Sequence, residues 1–220
     1  MAQVFHRSTN TIARVSIYGG ALFVAAVLWF GLSIQRSDYL TGVGTARDQP
    51  VPFSHQHHVS GVGLDCRYCH TGVESSPFAG LPPTQTCMNC HARIWSDSPT
   101  LEPVRESFRT GKAIAWTRVH DLADFVYFDH SVHVAKGVAC ATCHGPVESM
   151  SLIYKQNTLQ MGWCLSCHRD PGPNITPREW VTGAGGAGHG EPIDGTALSG
   201  ADLMRAYDVH TRTDCSTCHR

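Results

Sequence analysis

The chain has neither a spare cysteine nor an excess of charge of either sign. Its 17 Lys+Arg are matched by 18 Asp+Glu, and no basic run stands out. That balance excludes a protein built to follow a nucleic-acid backbone. All ten cysteines fall in pairs with two residues between partners, which leaves none for intermolecular pairing or as a lone reactive thiol. Acidic residues are missing from positions 1–14, and residues of both charges are missing from Val15 to Ile34. Ala113 to Phe128 shows no clear helical or strand period.

The ten cysteines belong to a five-residue pattern, Cys-x-x-Cys-His, that occurs five times. The copies are Cys66–Cys69 with His70, Cys87–Cys90 with His91, Cys140–Cys143 with His144, Cys164–Cys167 with His168, and Cys215–Cys218 with His219. A disulfide framework or a zinc ribbon also uses many cysteines, but neither needs a histidine after every second one, and ribbons use Cys-x-x-Cys in even sets. Two thiols so spaced can add to the two vinyl groups of one haem, and the adjacent histidine then becomes the proximal iron ligand. The pattern predicts five covalent haem c groups with His70, His91, His144, His168 and His219 as proximal ligands. Covalent haem attachment implies an extracytoplasmic location, as disulfides would, and propionates would make the loaded protein acidic.

Five haems leave about 36 residues each once the first forty or so are set aside, too few to bury a conventional core. The expected fold is mainly irregular, with short α-helices wrapped around five c-type haems, one N-terminal transmembrane helix and little or no β-sheet. The uncharged run Val15–Ile34 has twenty residues, about 30 Å as a helix, enough to span a bilayer. It ends in Ser33-Ile34-Gln35-Arg36, a poor cleavage site, so an uncleaved signal-anchor is expected. Arg7 and Arg14 place the N-terminus in the cytoplasm and the haem region on the periplasmic side of a single-pass cell-membrane protein.

A repeat orders the remainder. Phe53 opens FSHQHHVSGVGLDCRYCHTGVESS and Phe128 opens FDHSVHVAKGVACATCHGPVESM, in which Phe, His-x-x-His, Val, Gly-Val, Cys-x-x-Cys-His and Val-Glu-Ser recur in the same order with one gap. Each copy is followed by a second attachment motif. The expected organisation is therefore 1–14 cytoplasmic N-terminus, 15–34 anchor helix, 35–52 linker, 53–127 first di-haem unit and connector, 128–182 second di-haem unit, and 183–220 glycine-rich loop and fifth haem. Ala201–Tyr207 reads as a short helix before the last motif.

Whether the irons conduct or catalyse depends on sixth ligands. His55 and His58, and likewise His130 and His133, are spaced so that both rings leave one face of a helical turn and reach two haems. They are the best distal candidates. His57 breaks the repeat, Val132 being its counterpart. For the fifth iron the candidates are Met161, whose thioether would raise the potential, and His120, with His189 and His210 behind them. Arg67, Arg93, Arg118 and Arg169 are weaker candidates to pair haem propionates.

Phe-x-His-x-x-His followed by Cys-x-x-Cys-His resembles the small class III multihaem cytochromes. That resemblance implies His55 for the Cys66–Cys69 haem and His130 for the Cys140–Cys143 haem, with His58 and His133 serving other haems. Met161 stands where that family has another distal histidine. The anchor, the five motifs, RVHDLADFVYFDHSVHVAKGVACATCHGPVE and MGWCLSCHR together resemble the pentahaem cytochrome subunit of alternative complex III. The resemblance implies integral-membrane quinol-binding subunits, an iron–sulfur subunit and a monohaem cytochrome c as partners. On this reading the chain is an electron-transfer subunit of a quinol:acceptor oxidoreductase, not catalytic on its own, with no nucleic-acid partner. The rivals are a stand-alone quinol dehydrogenase and a catalytic multihaem reductase.

Overall fold

The computed structural model describes residues 4–183 and 198–219. It divides into two compact units, Met1–Val43 and Gly44–Arg220. The boundary falls inside the segment expected to be a linker.

The first unit is dominated by α1, Thr9–Arg36, whose 28 residues make about 42 Å of helix. The helix begins before the uncharged run because Thr9–Arg14 can continue the backbone ladder outside a bilayer. Ser33 returns its hydroxyl to the carbonyl of Trp29 at 2.8 Å, so this polar side chain needs no outside partner. Arg36 in the last turn suits the negative end of the helix dipole. No residue of α1 is buried, and among the described residues it is the one helix long and apolar enough to cross a membrane, consistent with anchoring. A four-residue turn, α2 (Asp38–Thr41), follows and ends on left-handed Gly42.

The second unit is built from short helices. They are a π-helical turn at Gln56–Gly61, α3 (Cys66–Cys69), α4 (Thr84–His91), α5 (Glu102–Thr110), α6 (His130–Ala135), α7 (Cys140–His144), α8 (Met161–Arg169), α9 (Gly200–Ala206) and α10 (Cys215–Cys218). Among the described residues β-structure is limited to isolated bridges, among them Ala46 with Tyr154, Val126 with His219 and Val138 with Ile175. The helix expected over Ala201–Tyr207 is α9, with a capping box between Ser199 and Asp202. The glycine-rich loop expected from Gly183 onward lies mostly outside the described residues, as does His189.

Only nine apolar residues of the described chain are buried. Val51, Leu101 and Val104 form the one compact cluster, with Cys87, Met88, Ile114 and Trp116 packed on it. It joins α4 to α5, where the Thr84 and Ser107 hydroxyls meet at 2.7 Å. Phe78, Leu81, Ile94, Trp95, Phe125 and Met161 stay exposed. So little side-chain core leaves apolar area that a porphyrin can cover.

One glycine fixes how α6 docks. Gly137 has φ +81°, and a Cβ there would lie 2.5 Å from the Thr176 carbonyl oxygen and 2.9 Å from the Tyr207 ring. Its own carbonyl accepts from the Thr176 N–H at 2.8 Å. Gly137→Ala is therefore expected to destabilise the loaded protein by about 2 kcal/mol in thermal unfolding. Gly111→Ala, at φ +71° with open space around it, should cost less.

Candidate haem sites

Each Cys-x-x-Cys pair lies in a helical turn: α3, the end of α4, α7, α8 and α10. Residues three apart in such a turn share a face, so both thiols of a pair present to one object. None of the ten cysteines is tied up in a disulfide. Among the described residues no group of three or more His, Cys, Asp or Glu side chains could hold a metal ion. A tetrahedral zinc site therefore has no ligand set, whereas haem brings four nitrogens of its own and asks the chain for two.

The histidines are prepared for that role. The proximal Nδ1 atoms lie close to backbone carbonyls: His70 to Gly80 at 2.7 Å, His91 to Ile94 at 3.0 Å, His168 to Arg212 at 2.9 Å and His219 to Phe125 at 3.2 Å. The candidate distal rings do likewise: His58 to Ser54 at 2.8 Å, His130 to Pro77 at 2.7 Å and His133 to Asp129 at 2.7 Å. A carbonyl oxygen can only accept, so Nδ1 carries the proton and Nε2 keeps its lone pair for a metal.

Three pairs of rings face each other. His58 and His91 have centroids 6.1 Å apart, His130 and His144 6.3 Å, and His133 and His168 6.2 Å. Two metal–nitrogen bonds of about 2 Å each plus half of each ring come to about 6 Å, so each pair can bracket one iron. The two members of a His-x-x-His thus face different motifs. His55 lies near His70; burial, with His70 and His58 adding to it, pushes its pKa down to about 4. Its Nδ1 is buried without a partner.

The repeat's phenylalanine explains the ring orientation, a role that sequence reasoning missed. Phe53 stacks on His58 at 4.4 Å and meets His55 edge-on at 4.9 Å. Phe128 does the same to His133 at 4.5 Å and His130 at 4.8 Å. The signal was in the sequence, as the invariant first letter of both copies. The copies differ in one respect. His130 and His133 stand on α-helix, as expected, but His58 lies in a π turn closed by the Val62 N–H on the His57 carbonyl at 3.0 Å. The first copy has one residue more between its second histidine and its first cysteine, and the wider turn takes it up.

The candidates for the fifth iron stand in different surroundings. His120 lies 4.3 Å from His144 at 73°, too close for both to bracket one iron. Burial pushes its pKa down to about 4, and its Nε2 is buried without a partner. Met161 opens α8 and is 67% exposed. His210 is turned to Asp208 at 2.8 Å, and His57 stacks on Trp95 at 5.7 Å. Two of the arginines considered for propionates already have carboxylate partners: Arg67 with Asp65 and Glu74, and Arg118 with Asp121.

Two comparisons bear on these sites. Residues 126–220 match the family model described as cytochrome c7 and related cytochrome c. The multihaem cytochrome c subunit of menaquinone reductase from Nitratidesulfovibrio vulgaris (Hildenborough) is 32% identical over 143 residues, covering 56% of this chain and 68% of that one. By that identity and coverage, the chain belongs to the multihaem cytochromes c, electron carriers with covalently bound c-type haem.

Proposed function

We propose that this chain is a membrane-anchored pentahaem cytochrome c that conducts electrons inside a quinone-linked respiratory or photosynthetic complex of the alternative complex III kind. The observation that carries this reading is the set of three facing imidazole pairs at 6.1–6.3 Å. An iron closed on both faces by imidazole offers no position to a substrate, so the arrangement favours conduction over catalysis. Bound haem c supplies a one-electron iron couple. The residues do the rest: ten cysteines tether, five histidines bind proximally, and carbonyl-anchored Nδ1 atoms hold the rings of His58, His70, His91, His130, His133, His168 and His219 in one tautomer.

By the repeat, His55 is assigned opposite His70, His58 opposite His91, His130 opposite His144 and His133 opposite His168. The second ligand of the Cys215–Cys218 haem is drawn from Met161 and His120. The chain crosses the cell membrane once through 15–34, with 1–14 cytoplasmic and the di-haem units 53–127 and 128–182 periplasmic. Segment 35–52 links them, and 183–220 adds the fifth haem.

Electrons on this reading leave an iron–sulfur or quinol-oxidising partner and pass to a periplasmic cytochrome. The related protein is named a menaquinone reductase, which favours a second reading with the flow reversed, toward quinone. Purification in mild detergent tests both. The expected result is co-purification with integral quinol-binding subunits, an iron–sulfur subunit and a monohaem cytochrome c, and haem reduction on adding a quinol. Reduction by a soluble donor followed by reduction of added quinone would establish the reverse flow. A lone polypeptide that oxidises quinol would establish the stand-alone dehydrogenase instead. Carbon monoxide binding by the native protein would point to a catalytic iron.

A further inference from the structure

We infer that the five attachment motifs stand in space in the order Cys87, Cys66, Cys140, Cys164, Cys215, rather than in chain order, and that electrons are exchanged with partners at the two ends of that row. The inference rests on the electron-carrier reading and adds a path to it.

The links are local and separate. The Cys87 and Cys66 motifs touch through their own central residues, Asn89 Nδ2 donating to the Tyr68 hydroxyl at 3.3 Å. The turn carrying His55 and His58 serves the same two motifs. The Cys66 and Cys140 motifs share one strip of backbone: the Cys66 thiol donates to the Thr182 carbonyl at 3.1 Å, and the Cys140 N–H to the neighbouring Val181 carbonyl at 3.1 Å. The Cys140 and Cys164 motifs are joined by α6, whose His130 faces His144 and whose His133 faces His168. The Cys164 and Cys215 motifs meet where His168 Nδ1 donates to the carbonyl of Arg212, three residues before Cys215. Among the described residues no hydrogen bond or ring contact joins the Cys87 motif to the Cys140, Cys164 or Cys215 motifs.

Exposure identifies the ends independently. Of the ten cysteines only Cys90 and Cys215 are exposed, and they belong to the first and last motifs of this row. Each end also carries an exposed aromatic ring beside its proximal histidine. Trp95 lies 6.5 Å from His91, and Phe125 stacks on His219 at 5.8 Å. Trp95 holds its place with φ +55°, a left-handed conformation that a bulky L-residue adopts only when its surroundings impose it. The interior motifs have no exposed cysteine, so a partner's cofactor approaches most closely at Trp95 and at Phe125.

The test is the placement of the irons in the loaded protein, by anomalous scattering at the iron edge or by electron cryomicroscopy of the purified complex. The expected result puts the Cys66 iron between those of Cys87 and Cys140, and the Cys164 iron between those of Cys140 and Cys215. A Cys66 iron at one end, or a Cys87 iron nearest to that of Cys140, overturns the order. This readout is independent of activity. If the irons stand in this order but the protein neither takes up nor passes electrons, the conduction reading fails and the order survives. A second measurement addresses the ends: Trp95→Ala and Phe125→Ala should each slow exchange with only one of two external redox partners while leaving the low-spin spectrum unchanged. Unchanged exchange with both partners in both variants overturns the assignment of the ends.

Discussion

His133→Ala is expected to leave one haem in five high-spin and open to carbon monoxide. The His133 ring lies 6.2 Å from that of His168, its Nδ1 is held by the Asp129 carbonyl, and Phe128 stacks on its other side. No other histidine ring contacts His168 among the described residues, so the lost ligand has no substitute. Electron paramagnetic resonance of the oxidised protein should gain a high-spin signal amounting to about a fifth of the iron if one of the five ligand pairs is broken. Val132→Ala, on the same helix and 53% exposed, should leave the spectrum unchanged. A spectrum of His133→Ala identical to the parent would remove His133 from the ligand set. The same measurement on Met161→Ala and His120→Ala identifies the second ligand of the Cys215–Cys218 haem, because one of them should add a high-spin iron and the other should not.

The second large effect concerns the middle of the molecule. Replacing both Cys140 and Cys143 with alanine removes the tether of the central haem. Mass spectrometry should find the 24.0 kDa polypeptide with four haems in place of five. The Cys87–Cys90 and Cys164–Cys167 haems should keep their low-spin spectra, because His58, His91, His133 and His168 are anchored to carbonyls outside α7. Electron flow from one partner to the other should fall to background, since the remaining haems are split into two groups. The equivalent change at Cys87 and Cys90 should disable exchange with one partner and leave equilibration among the other four intact. Equal through-flow in the Cys140 and Cys143 variant and the parent would show that the central haem is bypassed.

Much of this was legible in the residues. The five motifs need only spacing, and the repeat beginning at Phe53 and Phe128 marks the two His-x-x-His pairs by itself. The expectation of short helices with almost no sheet followed from how little chain there is per haem, and the described residues agree. Other features were hidden for physical reasons. The π turn under His58 comes from one extra residue, whose effect on hydrogen bonding cannot be told from that of a longer loop. The role of Phe53 and Phe128 was visible only as a repeated letter, because stacking on two rings at once depends on where those rings point. The docking of Cys66 against Thr182 joins residues 116 positions apart, and no local pattern encodes such a contact. Arg67 and Arg118 looked free near their motifs, yet each had a carboxylate within a few residues or across a turn. The start of α1 at Thr9 lies in Thr-Asn-Thr-Ile, residues of weak helix propensity, so neither propensity nor hydropathy marks it.

The thin interior described above has a consequence for the life of the molecule in the cell. With nine buried apolar residues among those described, the polypeptide alone has little to hold it closed. Haem attachment is then a folding step, and a newly made chain that has not received its haems offers proteases an open substrate. The steady-state amount of the protein should follow the supply of haem and the activity of the attachment machinery. Defective copies would in that way be removed, because a chain lacking its cofactors would be degraded before it could carry electrons.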